Sequence, residues 1–141
     1  MTVYLDPEVF LSQLTRVGFL VRDPGLFLSA LARPQTSLFG ADAYPTLPLK
    51  TAALMDSLVN NHPMMDGNKR SSWFAANLFL ELNGFELEAE RDDAFAFILR
   101  IATNEATLEE TAQWIARVRG TPEAQEGLKA FLAKRPPAWL P

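Results

Sequence analysis

The sequence predicts an all-α protein of about six to eight helices, with one irregular loop and at most a short β piece. Three observations point there. Pairs that start helices recur along the chain, apolar residues return at intervals of three and four, and the alternation that marks half-buried strands is scarce. With 141 residues, 48% of them hydrophobic and 21% charged, the chain is long enough for one globular unit with its own core. Residues 1–135 read as a single compact domain and residues 136–141 as a tail.

The elements follow in order. Asp6 before Pro7 is an N-cap with proline in the first turn, and Val9, Phe10, Leu14 and Val17 keep helical spacing behind it. Asp23-Pro24 repeats this start for a short helix through Leu26, Leu28 and Leu31, which Pro34 must stop. From Pro34 to Pro48 the chain is rich in Pro, Gly, Ser and Thr, with Phe39 and Tyr44 as isolated aromatics, and reads as a long loop or irregular hairpin. A helix from about Leu49 to Asn61 has Met55, Leu58 and Val59 as core candidates and must end near His62, because the residue before Pro63 is pushed away from helical angles. The next runs from about Asn68 to Leu82 and stops at Asn83-Gly84. Trp73, Phe74, Leu78, Phe79 and Leu80 on it are core candidates. Phe85 to Ala89 reads as a short extended piece, followed by helices over Asp93 to Thr103, Leu108 to Arg119 and Glu123 to Lys134. Thr107 and Glu110 form a capping box, Gly120 closes that helix, and Thr121-Pro122 starts the last. Pro136, Pro137 and Pro141 predict a frayed tail.

Composition narrows the function. The absence of cysteine excludes disulfides and thiolate metal sites, and one histidine leaves little for zinc. Thirteen Lys and Arg against seventeen Asp and Glu leave a net charge of -4, without the electrostatic footprint of a nucleic-acid binder. No apolar run is long enough to span a bilayer, and no basic region followed by an apolar stretch opens the chain. The expectation is a soluble cytoplasmic protein with neither a membrane nor a nucleic acid as direct partner.

One segment stands apart. The only histidine opens the run HPMMDGNKR, His62 to Arg70, on the connection between two predicted helices. Asp66-Gly67 is a turn-forming pair, and Gly67 lets the backbone approach a ligand closely. The helix that follows points its unpaired amides and positive dipole end into the turn, which makes an anion site from backbone alone. Lys69 and Arg70 fall in its first turn, where the dipole disfavours cations unless an anion is present, so their placement points to phosphate. Asn68 supplies an amide and Asp66 an acidic oxygen suited to magnesium. His62 is the natural general base near neutral pH. Each residue alone has a bland explanation as a helix end, a turn or a solvated surface. Together they describe transfer of a phosphorus group, with a base activating a hydroxyl while cations, amides and metal stabilise phosphate charge. Arg22, Tyr44 and Trp139 have no such convergent setting and are assigned surface or packing roles.

The run resembles the Fic/Doc family signature, H-x-F-x-D/N-G/A-N-K/G-R, and the flanking segments RDPGLFLSALARPQ, LFGADAYPTL and FLELNGF resemble those of death-on-curing, Doc-type proteins. The resemblance covers about Tyr4 to Arg119 and implies the compact helical Fic fold, whose signature loop joins two central helices. It implies that His62 deprotonates a target hydroxyl, that Asp66 engages magnesium, that Gly67 and Asn68 help shape the phosphate-binding loop, and that Lys69 and Arg70 contact nucleotide phosphates. The segment from Gln35 to Leu47 corresponds to the family's flap, which aligns a stretch of target protein beside the nucleotide.

Departures from the signature sort the branches. Met64 replaces the aromatic, a soft apolar side chain that can still anchor the loop. AMP-transferring Fic proteins typically carry Gly where Lys69 stands and a second Arg where this chain has Trp73. Both differences point to the Doc branch, which is understood to bind ATP in the reverse sense and pass on the γ-phosphate. No internal S/T-x-x-x-E-G/N inhibitory motif is present, so restraint by a separate antitoxin is expected. The resemblance thus implies a toxin of a toxin-antitoxin pair that uses ATP and magnesium to phosphorylate a Ser or Thr of a protein in the translation machinery. The alternatives are AMP transfer to a protein hydroxyl and a catalytically weak nucleotide- or partner-binding module.

Overall fold

The computed structural model describes residues 1–120. The helix expected over Glu123 to Lys134, its Thr121-Pro122 start, Trp139 and the proline-rich tail lie outside the described residues. Six α-helices are present among the described residues: α1 (Pro7–Arg16), α2 (Pro24–Ala32), α3 (Leu47–Asn60), α4 (Asn68–Leu82), α5 (Arg91–Ala102) and α6 (Leu108–Val118). None is long and apolar enough to cross a membrane. A 3-10 turn at Arg33–Gln35 leads from α2 into the only sheet of these residues, an antiparallel pair of β1 (Ser37–Leu38) and β2 (Ala41–Asp42).

The starts obey the local chemistry. Asp6 accepts from the amides of Glu8 and Val9, Asp23 from that of Leu26, and Thr107 from that of Glu110, whose carboxylate answers the Thr107 amide. Helix α3 begins at Leu47, two residues earlier than its apolar pattern suggests. Thr46 caps it by accepting from the Leu49 amide, and Pro48 belongs to the first turn, where its missing N–H costs nothing.

Helix α2 ends at Ala32, ahead of Pro34, as the sequence predicts, and Pro34 sits buried in the 3-10 turn that follows. One boundary differs from the sequence reading for a tertiary reason. Gly120 does not close α6: Arg119 is already extended, with φ -73° and ψ 144°. Arg119 pairs with Leu87 in an isolated antiparallel bridge, and the amides of Glu88 and Gly120 donate to the carbonyls of Val118 and Glu86. The extended piece after α4 therefore receives the end of α6, and backbone pairing replaces a left-handed cap.

Helix α3 lies at the centre. Between Lys50 and Val59 every residue is buried except Asp56. One face joins Leu54 and Leu58 to Phe10, Leu14, Phe27, Phe74 and Phe79 from α1, α2 and α4. The opposite face joins Met55 and Val59 to Leu80, Phe97, Ile98, Ile101, Trp114 and Ile115 from α4, α5 and α6. Phe97 stacks on Trp114 with centroids 4.6 Å apart, and Trp73 leans on the same indole at 5.8 Å. The ends of α3 thus have fixed positions, with the hairpin beside its start and the α3–α4 connection after its end.

The capping box carries a pH signature. Hydrogen bonds from the Thr107 amide and hydroxyl, aided by Arg100, hold the Glu110 carboxyl below its ordinary value of 4.5. A depressed carboxyl contributes stability above its unfolded pKa and loses it as pH falls through the folded one. Urea unfolding midpoints taken from about pH 7 down to about pH 3 should therefore fall more steeply for the natural chain than for Glu110→Gln. Parallel profiles would refute the assignment.

Candidate active site in the connection between α3 and α4

Residues 61–67 join the two central helices, and every turn of the chain there has a physical cause. Asn61 ends α3 by donating to the Ser57 carbonyl. His62 then takes a left-handed φ of +51°, away from the right-handed helical angles that Pro63 disfavours at the residue before it. Histidine tolerates that region better than most side chains, at a cost of about 1–3 kcal/mol that the surroundings must offset.

The offset comes from the segment before α2. Met65 donates to the Leu20 carbonyl at 2.9 Å, Val21 and Met64 form an antiparallel bridge, and Pro63 accepts from the amides of Arg22 (2.8 Å) and Asp23 (3.0 Å). The Arg22 guanidinium donates to the carbonyl of His62 itself. Arg22, assigned a surface or packing role from sequence, is thus a direct support of the loop. Nothing in its sequence neighbourhood signals this, since the contact spans forty positions.

Met64 is the loop's apolar anchor, 1% exposed among Leu14, Phe19 and Phe74 in the first core cluster. Asn68 grips the same residue, accepting from the Met64 amide at 2.9 Å and facing its carbonyl with the side-chain amide at 3.4 Å. Its side chain is turned inward, toward loop shape rather than toward solvent. Met65, one residue on, is two-thirds exposed.

Asp66 and Gly67 turn the chain into α4. The Asp66 side chain is 96% exposed and accepts from the Gly67 amide at 2.8 Å. Gly67 is the N-cap of α4 in the left-handed region, φ +78°. A Cβ there would lie 2.4 Å from the Phe19 ring, so both conformation and space require glycine. No side chain caps α4, and the amides of its first turn open on the face that carries exposed Lys69 and Arg70. The Arg70 guanidinium lies over the Phe19 ring at 5.3 Å and 4.0 Å from Asp66. Both groups of that ion pair are open to solvent, so it holds Arg70 weakly.

The structure therefore places His62, Asp66 and Gly67 in one short connection and Asn68, Lys69 and Arg70 in the first turn of α4 directly after it, with His62, Asp66, Lys69 and Arg70 exposed. No cluster of three or more His, Cys, Asp or Glu side chains able to hold a metal occurs among the described residues. A divalent ion here would take Asp66 as its carboxylate and draw its other ligands from phosphate oxygens and water. That donor set suits magnesium.

A polar cleft of about 440 Å3 lined by Ser29, Arg33, Thr36, Ser57 and Asn61 runs from the residue before His62 to the base of the hairpin. The hairpin occupies the segment 35–47, pairs Ser37 with Asp42 and Leu38 with Ala41, and turns through Phe39 and Gly40, both at positive φ. Phe39 at its tip is fully exposed. Arg33, not singled out from sequence, donates to Asp56 at 2.7 Å, to the Tyr44 hydroxyl at 2.9 Å and to Ser57 at 3.0 Å. Partial burial alone would weaken its charge, yet these bonds hold its pKa above the ordinary value. Tyr44 accordingly closes the hairpin onto Arg33.

Gly67→Ala should lower stability by about 1–3 kcal/mol, from the left-handed strain and the displaced Phe19 ring together. Unfolding in urea, read beside the Phe19 ring resonances, checks this. An unchanged midpoint with unmoved resonances would show that the close approach is not real.

Comparison with known proteins agrees with this geometry. The model of the Fic/DOC family matches residues 8–80, a span that runs from α1 through the loop into α4. The chain is also similar to Toxin Doc of Mycolicibacterium smegmatis, 45% identical over 121 residues that cover 82% of this chain and 93% of that protein. With its signature loop held between two central helices, this chain belongs to the Fic/DOC family.

Proposed function

We propose that the chain is a Doc-type toxin that transfers the γ-phosphate of ATP to a Ser or Thr hydroxyl of a protein in the translation machinery, and that a separate antitoxin restrains it. The observation that carries this reading is the uncapped start of α4, where left-handed Gly67 opens the helix beside exposed Asp66, Lys69 and Arg70, with His62 exposed at the other end of the same loop. The toxin role is supported by the 45% identity to a protein named Toxin Doc.

In this reading the first-turn amides of α4 and the side chains of Lys69 and Arg70 bind the phosphates. Arg70 is free to swing, since only an exposed pair and a ring face hold it. His62 takes the proton of the target hydroxyl, the oxygen attacks the γ-phosphorus, and the bond to the β–γ bridging oxygen breaks to leave ADP. Magnesium, held by Asp66 and phosphate oxygens, would offset phosphate charge. The flap hairpin presents the acceptor segment beside the loop.

Phosphate rather than AMP transfer is favoured by Trp73, which packs against Trp114 in the second core cluster. The position where AMP-transferring relatives place a second arginine therefore offers no cation here, while Lys69 adds one where they carry glycine.

Incubating a translation extract with ATP labelled at the α- or the γ-phosphate should place label on protein from the γ-position only. Label arriving from the α-position alone would make the chain an AMP transferase. His62→Ala should reduce transfer by about 10²–10⁴-fold, the usual contribution of a positioned base, in a chain that still folds, with a modestly lower unfolding midpoint because alanine tolerates the left-handed φ less well than histidine. Full transfer by this variant would remove His62 from the mechanism.

A further inference from the structure

The flap hairpin cannot set its own position. Its strands are two residues each, their pairing is extended only by the Ala43 amide donating to the Thr36 carbonyl, and Leu38 and Phe39 stand out in solvent. A two-stranded hairpin of this size has no independent stability in water. What holds it lies at its base, and there the structure has an unusual group: Lys50, 2% exposed in the first turns of α3. Buried lysines are rare unless paired.

The partners of Lys50 explain its burial. Its Nζ lies 3.2 Å from a carboxylate oxygen of Asp42 in β2 and 3.4 Å from the carbonyl of Pro34 ahead of β1. Its remaining direction faces the Tyr4 ring at 5.7 Å. One nitrogen thus ties β2 and the turn that leads into β1 to the helix whose far end leads into His62. We infer that Lys50 is a positioning residue for the flap: its pair with Asp42 fixes the hairpin's direction relative to the His62 loop and so sets how readily a protein acceptor docks. The inference rests on the transferase reading above for its kinetic part only.

The geometry separates this role from phosphate binding. Lys50 is buried and its charge is spent on Asp42 and Pro34, so it is not available to ATP. Nor does it touch the loop from His62 to Arg70. Freeing the hairpin leaves the loop intact but makes the acceptor order it again on each encounter. That cost falls on acceptor binding.

The test compares the natural chain with Lys50→Met and Asp42→Ala. The second variant changes a half-exposed side chain and keeps the experiment decisive if the first fails to fold. Two quantities are read: hydrogen exchange at the amides of Ser37 to Asp42, and the initial rate of γ-label transfer as a translation extract and ATP are each diluted in turn. Exchange should quicken, and the half-saturating extract concentration should rise by about tenfold, while half-saturating ATP stays within about twofold. Asp42→Asn, which keeps an oxygen facing Nζ, should restore most of both. An unchanged extract dependence in both variants, or an equal rise in ATP dependence, overturns the assignment. If the natural chain transfers no label to any extract protein, the transferase reading is what fails, and exchange then decides the anchor by itself. Equal exchange in Asp42→Ala and the natural chain would overturn the anchor, and faster exchange in the variant would uphold it.

Discussion

Helix α3 has almost no face to give to water, and the neighbouring elements are arranged by that constraint. From Lys50 to Val59 its only incompletely buried residue is Asp56, which is engaged by Arg33 and Asn60. A helix apolar on two opposite sides needs cover from both, so α1 and α2 close one side, α5 and α6 the other, and α4 borders each. Burying a leucine or methionine side chain is worth about 1.5–3 kcal/mol, and Leu54, Met55, Leu58 and Val59 together make any sliding of this helix prohibitive. The candidate site benefits because it begins just beyond one end of this helix. The positions of His62 and of the hairpin base come from one rigid rod rather than from the loops that carry them.

Much of this was legible in the sequence because it is local. Asp6-Pro7, Asp23-Pro24 and the Thr107/Glu110 box each settle a helix start within four residues, and α4 runs as expected from Asn68 to Leu82. The candidate site was legible for the same reason, since its six residues lie within nine consecutive positions. What escaped is non-local. Arg22 reaches the His62 carbonyl across the chain, Arg33 gathers Tyr44, Asp56 and Ser57, and Lys50 looks like any surface lysine until its burial is seen. Gly120 misled because a glycine after a helix suggests a left-handed cap, whereas here the extended segment after α4 captures the backbone first.

Met64 shows how a departure from a family signature is absorbed. An aromatic ring at that place would anchor the loop by area. The methionine is only 1% exposed, and the Asn68 side chain adds hydrogen bonds at the same residue's backbone. The pairing of Met64 with Val21 needs no particular side chain at all. Loop position is therefore shared between packing and backbone bonds, which lets the flexible side chain substitute without loosening the turn.

The left-handed backbone of His62 has a consequence for how this chain can change. Folding gains nothing from histidine at that position, because the side chain is exposed and the conformation is one that glycine or asparagine adopts at lower cost. In the proposed mechanism, chemistry and stability therefore oppose each other at one residue. On that reading a lineage can silence the activity by replacing His62 with glycine or asparagine and fold at least as well afterwards. The proposed base would then persist only while its reactivity is selected.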